Sequence, residues 1–299
     1  MRAQQLIYGN IMAIQWFPGH MHKARKEIKK VMPKIDLIIE VLDARIPYSS
    51  ENPLIAELRG DKPCIKLLNK SDLADAKTTQ LWIDHFQASR NIKALAVTQD
   101  QPAQIKQTLK MCRQFFPDRN VSVRPVRVLI MGIPNVGKSS VINTLAGRFI
   151  AKVGDEPAIT KRQQKIILDN GIELMDTPGF LWPKIHNVNS GYRLAVTGAI
   201  KSTAMEYEDV ALFAAGYFAK AYKDLLLKRY KLTELPEGEM EILEAIAKKR
   251  GCLQAGGKVN LHKVSEILLN EYRGKLLGAI SLETPDMIHA ELEEMRQQQ

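Results

Sequence analysis

Gly132-Ile133-Pro134-Asn135-Val136-Gly137-Lys138-Ser139 is the stretch on which the fold turns. It has the form G-x-x-x-x-G-K-[ST], a loop that grips phosphate through its backbone. Gly132 and Gly137 permit conformations in which successive N–H groups point at phosphate oxygens. They do so at a helix N-terminus, whose dipole favours anions. Lys138 then reaches the β- and γ-phosphates, and the Ser139 hydroxyl takes one position on Mg²⁺. Val136 and Ser140 belong to the same cradle. A chance glycine-rich turn is the competing explanation. The strand pattern Arg127 to Met131 before the loop and the helix pattern Lys138 to Leu145 after it count against that.

Working outward, Asn69-Lys70-Ser71-Asp72 stands upstream, at the end of an apolar run from Pro63 to Leu68. Its N-K-x-D form suits a guanine base. The Asp72 carboxylate accepts from N1–H and the N2 amine, which adenine cannot offer. Lys70 can lie under the ring while Asn69 ties this loop to the phosphate loop. The next strand ends at Val97-Thr98-Gln99, where a backbone N–H at Thr98 meets guanine O6. Downstream, Asp176-Thr177-Pro178-Gly179 is a D-x-x-G at a strand end. Asp176 holds Mg²⁺ through a water, and the Gly179 N–H senses the γ-phosphate. Between them residues 150–164 form the expected first switch, with Thr160 completing the Mg²⁺ shell. In Ras-like GTPases the phosphate loop comes before the guanine motif. Here the order is reversed, so the domain reads as circularly permuted.

Strands at Ile35 to Leu42, Pro63 to Leu68, Ile92 to Val97, Arg127 to Met131, Lys165 to Leu168 and Ile172 to Met175 alternate with helices near 76–88 and 102–114. The last two strands flank Asp169-Asn170-Gly171, a hairpin turn. This predicts an α/β doubly wound sheet with ligands beyond the carboxyl ends of the strands. After about residue 188 strand signals vanish, and 206–230, 237–250, 261–272 and 285–297 show helical spacing. The fold class is thus α/β: a circularly permuted Ras-like P-loop GTPase domain at 14–188, followed by a small all-α C-terminal domain at 189–299. Residues 1–13 read as an unstructured extension, and Met12 is an alternative start.

The 299 residues carry a formal charge of +10. GTP alone does not need such a surplus; RNA or a ribonucleoprotein does. Lys23, Arg25, Lys26, Lys29 and Lys30 near the N-terminus are candidate RNA contacts. So are Lys248, Lys249, Arg250, Lys258, Lys263, Arg273 and Lys275 in the helical part. Cys64, Cys112 and Cys252 are widely spaced and odd in number, which fits a reducing cytosol. No apolar run approaches a membrane span. The hydrolytic residue is missing from its usual place: Phe180 comes directly after D-x-x-G, and a phenyl ring cannot orient water. Asn135 can help ligate a monovalent cation beside the phosphates, or it can simply pack the loop.

With these motifs in hand, the chain resembles the ribosome biogenesis GTPase A family, the YlqF type of circularly permuted GTPases. The resemblance spans Ile14 to Glu283. It rests on Trp16-Phe17-Pro18-Gly19-His20-Met21, Asp43-Ala44-Arg45-Ile46-Pro47, the permuted order and Leu181-Trp182-Pro183-Lys184. Arg250-Gly251, Gly256-Gly257 and Arg273-Gly274-Lys275 with Leu277-Gly278 complete it. It departs from the family at Ala158, where a glycine is usual before Thr160. The resemblance implies a cytoplasmic GTP-hydrolysing factor, or an organellar one, with GTP/GDP, Mg²⁺ and K⁺ as its small ligands. It implies late assembly of the large ribosomal subunit and stimulation by the subunit and by potassium. It also implies that the helical domain touches rRNA and that His20 takes part in hydrolysis, an RNA contact being the other role open to that residue. A GTP-gated RNA-binding module with incidental hydrolysis is the alternative. A monomer in solution is expected.

Overall fold

The computed structural model describes residues 26, 28–151, 164–168, 171–176, 187–200 and 206–297. Its centre is a six-stranded sheet built from β1 (Leu37–Asp43), β2 (Cys64–Asn69), β3 (Ile92–Ala96), β4 (Val126–Gly132), β5 (Gln164–Leu168) and β6 (Ile172–Asp176). The strand order is β3-β2-β1-β4-β6-β5. All neighbours are parallel except the β5–β6 hairpin. Every residue of β1 and β2 is buried, as expected for parallel strands covered on both faces.

The two faces divide by the period of two. Leu37, Ile39 and Val41 pack with Ile105, Leu109, Val141 and Ile142 of α4 (Pro102–Gln114) and α5 (Lys138–Ala146). The alternate residues of β1 face the other way. Ile38 packs with Ile55 of α2 (Pro53–Arg59), and Leu42 with Trp82 and Phe86 of α3 (Ala76–Gln87). Glu40, also on this face, is buried with Lys66, their ion pair spanning 2.8 Å. A short α1 (Pro47–Ser50) precedes α2. Neither α1 nor α2 was expected from the sequence; each starts on a proline, and only α2 has a side-chain cap, Asn52 accepting from Leu54 N–H.

The C-terminal part is helical: α6 (Val188–Thr197), α7 (Tyr207–Ala221), α8 (Lys223–Tyr230), α9 (Glu239–Arg250), α10 (Leu261–Arg273) and α11 (Pro285–Gln297). The helix expected over 206–230 is broken at Tyr222, which leaves helical dihedrals; its hydroxyl accepts the Ser281 N–H at 3.2 Å. Phe218 of α7 and Tyr272 of α10 lie against each other inside this bundle. One buried apolar cluster runs continuously from β4 to these helices. Among the described residues no helix is long and apolar enough to cross a membrane.

Residues 280–283 form a strap back to the sheet. Ile280 N–H donates to Leu73 O and Leu282 N–H to Arg45 O. The Ser281 hydroxyl accepts from Asp75 N–H, and Trp82 Nε1 donates to the Glu283 carbonyl. Buried Glu283 also accepts the Ser49 N–H at 3.0 Å and the Ser49 hydroxyl.

Candidate functional site: a nucleotide pocket

The phosphate loop joins the carboxyl end of β4 to the first turn of α5. Gly137 caps that helix at φ +87°, and a Cβ there would stand 2.3 Å from Asn69 Nδ2. Both backbone angle and space therefore require glycine. The close neighbour is itself one of the residues expected at the site. Buried Asn69 donates Nδ2–H to Val136 O at 2.7 Å, so the base-reading loop is tied to the phosphate loop as its sequence implied.

Lys70 sits in the left-handed region at φ +60°. Its ammonium donates to Asn135 O at 2.6 Å and lies 3.2 Å from Asp43. Asp43 ends β1 and is buried. Burial alone would raise its carboxyl, but the charges of Arg45 and Lys70 and the hydrogen bonds from Arg45 outweigh it. The group is held well below the usual aspartate range. Asp43 is thus a permanent anion that fixes Lys70 and Arg45, while Arg45 also stacks over the Tyr272 ring at 5.2 Å. Sequence reading met Asp43 only within a motif of the resemblance; an acid closing a fully buried strand was the signal it left unused.

Asp72 is half-buried and fixed by Thr98, whose hydroxyl donates to Oδ1 at 2.8 Å. Thr98 was expected to act through its backbone N–H; the contact the structure shows is its side chain on the Asp72 carboxylate. On the phosphate side, buried Lys138 pairs with Asp176 at the end of β6. Ser139 and Ser140 lie in the first turn of α5. Ser139 and Asp176, one next to Lys138 in sequence and one bonded to it, make an oxygen donor set that suits Mg²⁺. Thr160, Gly179, Phe180 and His20 lie outside the described residues.

Asn135, at φ +63°, donates Nδ2–H to Gly198 O at 3.0 Å. Gly198 is the C-cap of α6. Arg273 of α10 binds the same helix end, with Nε on Val196 O at 2.9 Å and Nη2 on Ala195 O at 2.7 Å. Arg273 was expected as a free cation for RNA; here it caps a helix. Arg250 was too, but it shares the Glu271 carboxylate with Arg229. Burial would raise that carboxyl, yet these bonds hold it low.

The family model described as 50S ribosome-binding GTPase matches residues 127–241, beginning at β4 and leaving the guanine motif upstream. A ribosome biogenesis GTPase A from Bacillus cereus is 42% identical over 291 residues, covering 95% of this chain and 98% of its own. The chain belongs to the ribosome biogenesis GTPase A family. The Thermotoga maritima member is 30% identical over 275 residues, covering 92% of this chain and 96% of its own. The mitochondrial ribosome-associated GTPase 1 of Mus musculus is 30% identical over 292 residues, covering 90% of each. Among solved structures, GNP-bound YlqF from T. maritima is similar, with TM-score 0.62 and 27% identity over 89% of this chain and 99% of that one. GDP-bound YlqF matches as well, with TM-score 0.62 and 27% identity over 87% and 99%. The ribosome biogenesis GTPase A membership, the permuted motif order and the sheet topology agree: this is a P-loop GTPase that binds guanine nucleotides.

Proposed function

We propose that this chain is a GTP-hydrolysing assembly factor of the large ribosomal subunit, working as a monomer in the cytoplasm. It binds the immature subunit in its GTP state and leaves after hydrolysis. The relatives' names supply the ribosome, and the +10 charge suits an RNA-rich partner. The observation that carries the coupling is the Asn135 Nδ2–H bond to Gly198 O. The two proposed domains meet near residue 188, and this bond joins the phosphate loop to the first helix beyond that point. Arg273, on the same helix end, lies on α10, two residues after the Glu271 that gathers Arg229 and Arg250. A change at the phosphates thus has a short path of polar contacts into the helical part.

When bound, Mg²⁺ neutralises charge on the phosphates. The protein's part is to hold them: backbone N–H groups and Lys138 bind phosphate, while Asp72 reads the base and Asn69 ties its loop to the phosphate loop. The Asn135 amide nitrogen is committed to Gly198, so its oxygen is what it can offer to K⁺. His20 is the candidate for orienting the attacking water, since Phe180 cannot.

GTP turnover in potassium and in sodium, with and without large subunits, tests the proposal on wild type and His20→Ala. Strong stimulation by subunits, lost in the variant while GTP binding persists, is expected. No stimulation under any condition would refute the assembly reading and favour a GTP-gated binding module.

A further inference from the structure

Between α5 and the edge of the sheet lies a groove of about 540 Å³ lined by Arg148, Phe149, Ile150, Lys165, Ile166 and Ile167. Phe149 is 74% exposed and Ile167 69%; Ile166 and Leu168, on the opposite face of the strand, are buried. Phe149 is not on a loose loop. Gly147 ends α5 at φ +65°. Asn143 then clamps the backbone of residues 150 and 151: its Oδ1 accepts both Ile150 N–H and Ala151 N–H at 2.8 Å, and its Nδ2 donates to Ala151 O at 2.8 Å. The ring is therefore presented on a fixed turn, directly before the segment expected to be the first switch.

The surroundings are cationic. Arg148 is exposed and has no ion pair among the described residues. Lys165 and Arg127 share one carboxylate, Glu173, at 3.0 and 3.6 Å. Arg148 and Lys165, both in the groove lining, thus set two cations beside the aromatic ring. A strand added to the free edge of β5 is the other occupant this geometry invites, but a lysine on an edge strand discourages strand pairing. An anchored aromatic flanked by cations is instead the platform on which an unstacked base sits, its phosphates on the basic groups.

We propose that this groove seats an unpaired base of single-stranded RNA, with Phe149 stacking on the base and Arg148 and Lys165 meeting the flanking phosphates. The proposal rests on the reading that the chain works on ribosomal RNA, and it names a contact on the GTPase sheet rather than on the C-terminal helices.

The test uses the full chain with a non-hydrolysable GTP analogue, a fluorescein-labelled single-stranded RNA octamer and the same sequence as a duplex. Phe149→Ala should weaken the single strand roughly 5- to 100-fold, the range for one lost base stack. Phe149→Tyr should bind like wild type. Arg148→Gln should lower the slope of log affinity against log salt by about 0.7, one phosphate contact on a single strand. The ring is exposed, so thermal unfolding of Phe149→Ala should match wild type. Wild-type affinity in Phe149→Ala, or equal loss on single strand and duplex, would overturn the groove. Subunit-stimulated turnover of the wild type, measured alongside, reports on the assembly reading separately. If it is present while Phe149→Ala binds RNA normally, only the groove falls.

Discussion

Asp72→Asn should convert a guanine pocket into a xanthine pocket. Asp72 offers two acceptor oxygens, and guanine answers with N1–H and the N2 amine. The Thr98 hydroxyl on Oδ1, at 2.8 Å, decides how asparagine will sit. It keeps the amide oxygen where Oδ1 stood, which leaves the NH₂ in place of Oδ2. Two donors then face each other across the guanine amine. Xanthine carries a carbonyl at that carbon, so the same NH₂ gains an acceptor, while N1–H keeps its oxygen. A hydrogen bond to a charged group is worth about 1.5–3 kcal/mol. Losing one such pairing therefore weakens GTP by about 1.5–3 kcal/mol, roughly 10- to 150-fold. The gain for XTP is of similar size, so the GTP:XTP preference should move by roughly three orders of magnitude. Displacement of a fluorescent GDP analogue by GTP, XTP and ATP measures it, and ATP should fail on both proteins. An unchanged GTP:XTP ratio in a variant that unfolds at the wild-type temperature would refute the assignment of Asp72.

The same geometry sets three more outcomes. Gly137→Ala places a methyl 2.3 Å from Asn69 Nδ2 at a φ of +87°; backbone strain of about 1–2 kcal/mol plus about 1 for the displaced bond should weaken GDP and GTP alike by at least tenfold in a titration. Asn135→Ala removes the donor to Gly198 O; the potassium-over-sodium advantage in turnover should vanish while GDP affinity changes by less than about tenfold, and a surviving potassium effect would sink its assigned role. Burial raises the Glu283 carboxyl above its ordinary 4.5, so its contribution to stability is full below that value and lost as pH rises through the folded one. Glu283→Gln does not titrate, so the stability of the variant relative to wild type should climb as pH increases from 4.5, and a flat difference in chemical unfolding would contradict the sign.

Much of this architecture was legible because its chemistry is local in sequence. β1, β2 and β4 read as nearly continuous apolar runs, each interrupted by one charged residue (Glu40, Lys66 and Arg127), and their ends fell within two residues of expectation. The phosphate and guanine motifs each do their work within a few consecutive residues. The features that stayed hidden depend on distant partners. Nothing near Asn135 announces Gly198, nothing near Ser49 announces Glu283, and Arg273 looks like any surface cation until the carbonyls of Ala195 and Val196 are in place. The helices Pro47–Ser50 and Pro53–Arg59 escaped because elements of four and seven residues are too short to show a period. Val188–Thr197 escaped for a different reason. Its polar residues Ser190, Arg193 and Thr197 do recur at helical spacing, but residues 190–197 are all buried, so that stripe marks contacts inside the protein and not the solvent face of a surface helix.

The reversed motif order gives these distant contacts a division of labour. Among the described residues the C-terminal part meets the nucleotide pocket through the strap, through Tyr272 under Arg45 and through Gly198. The strap bonds Leu73, Asp75 and Arg45, on either side of the base-reading loop in sequence. Gly198 meets Asn135 in the phosphate loop. GTP and GDP present the same base, so contacts made through the strap cannot differ between them except indirectly. A ligand shifts only the states it distinguishes. Any difference in domain arrangement must therefore enter on the phosphate side, through Gly198 or through the chain that leaves β6 at Asp176. If the proposed cycle reorients the helical part, the strap, with Trp82 and Ser49 holding Glu283, is the end expected to stay fixed. A change of one hydrogen bond at Gly198, about 1 kcal/mol, is enough to move a balanced pair of arrangements about fivefold. That is a modest bias, and under the proposed function the bound subunit would have to enlarge it into a committed switch.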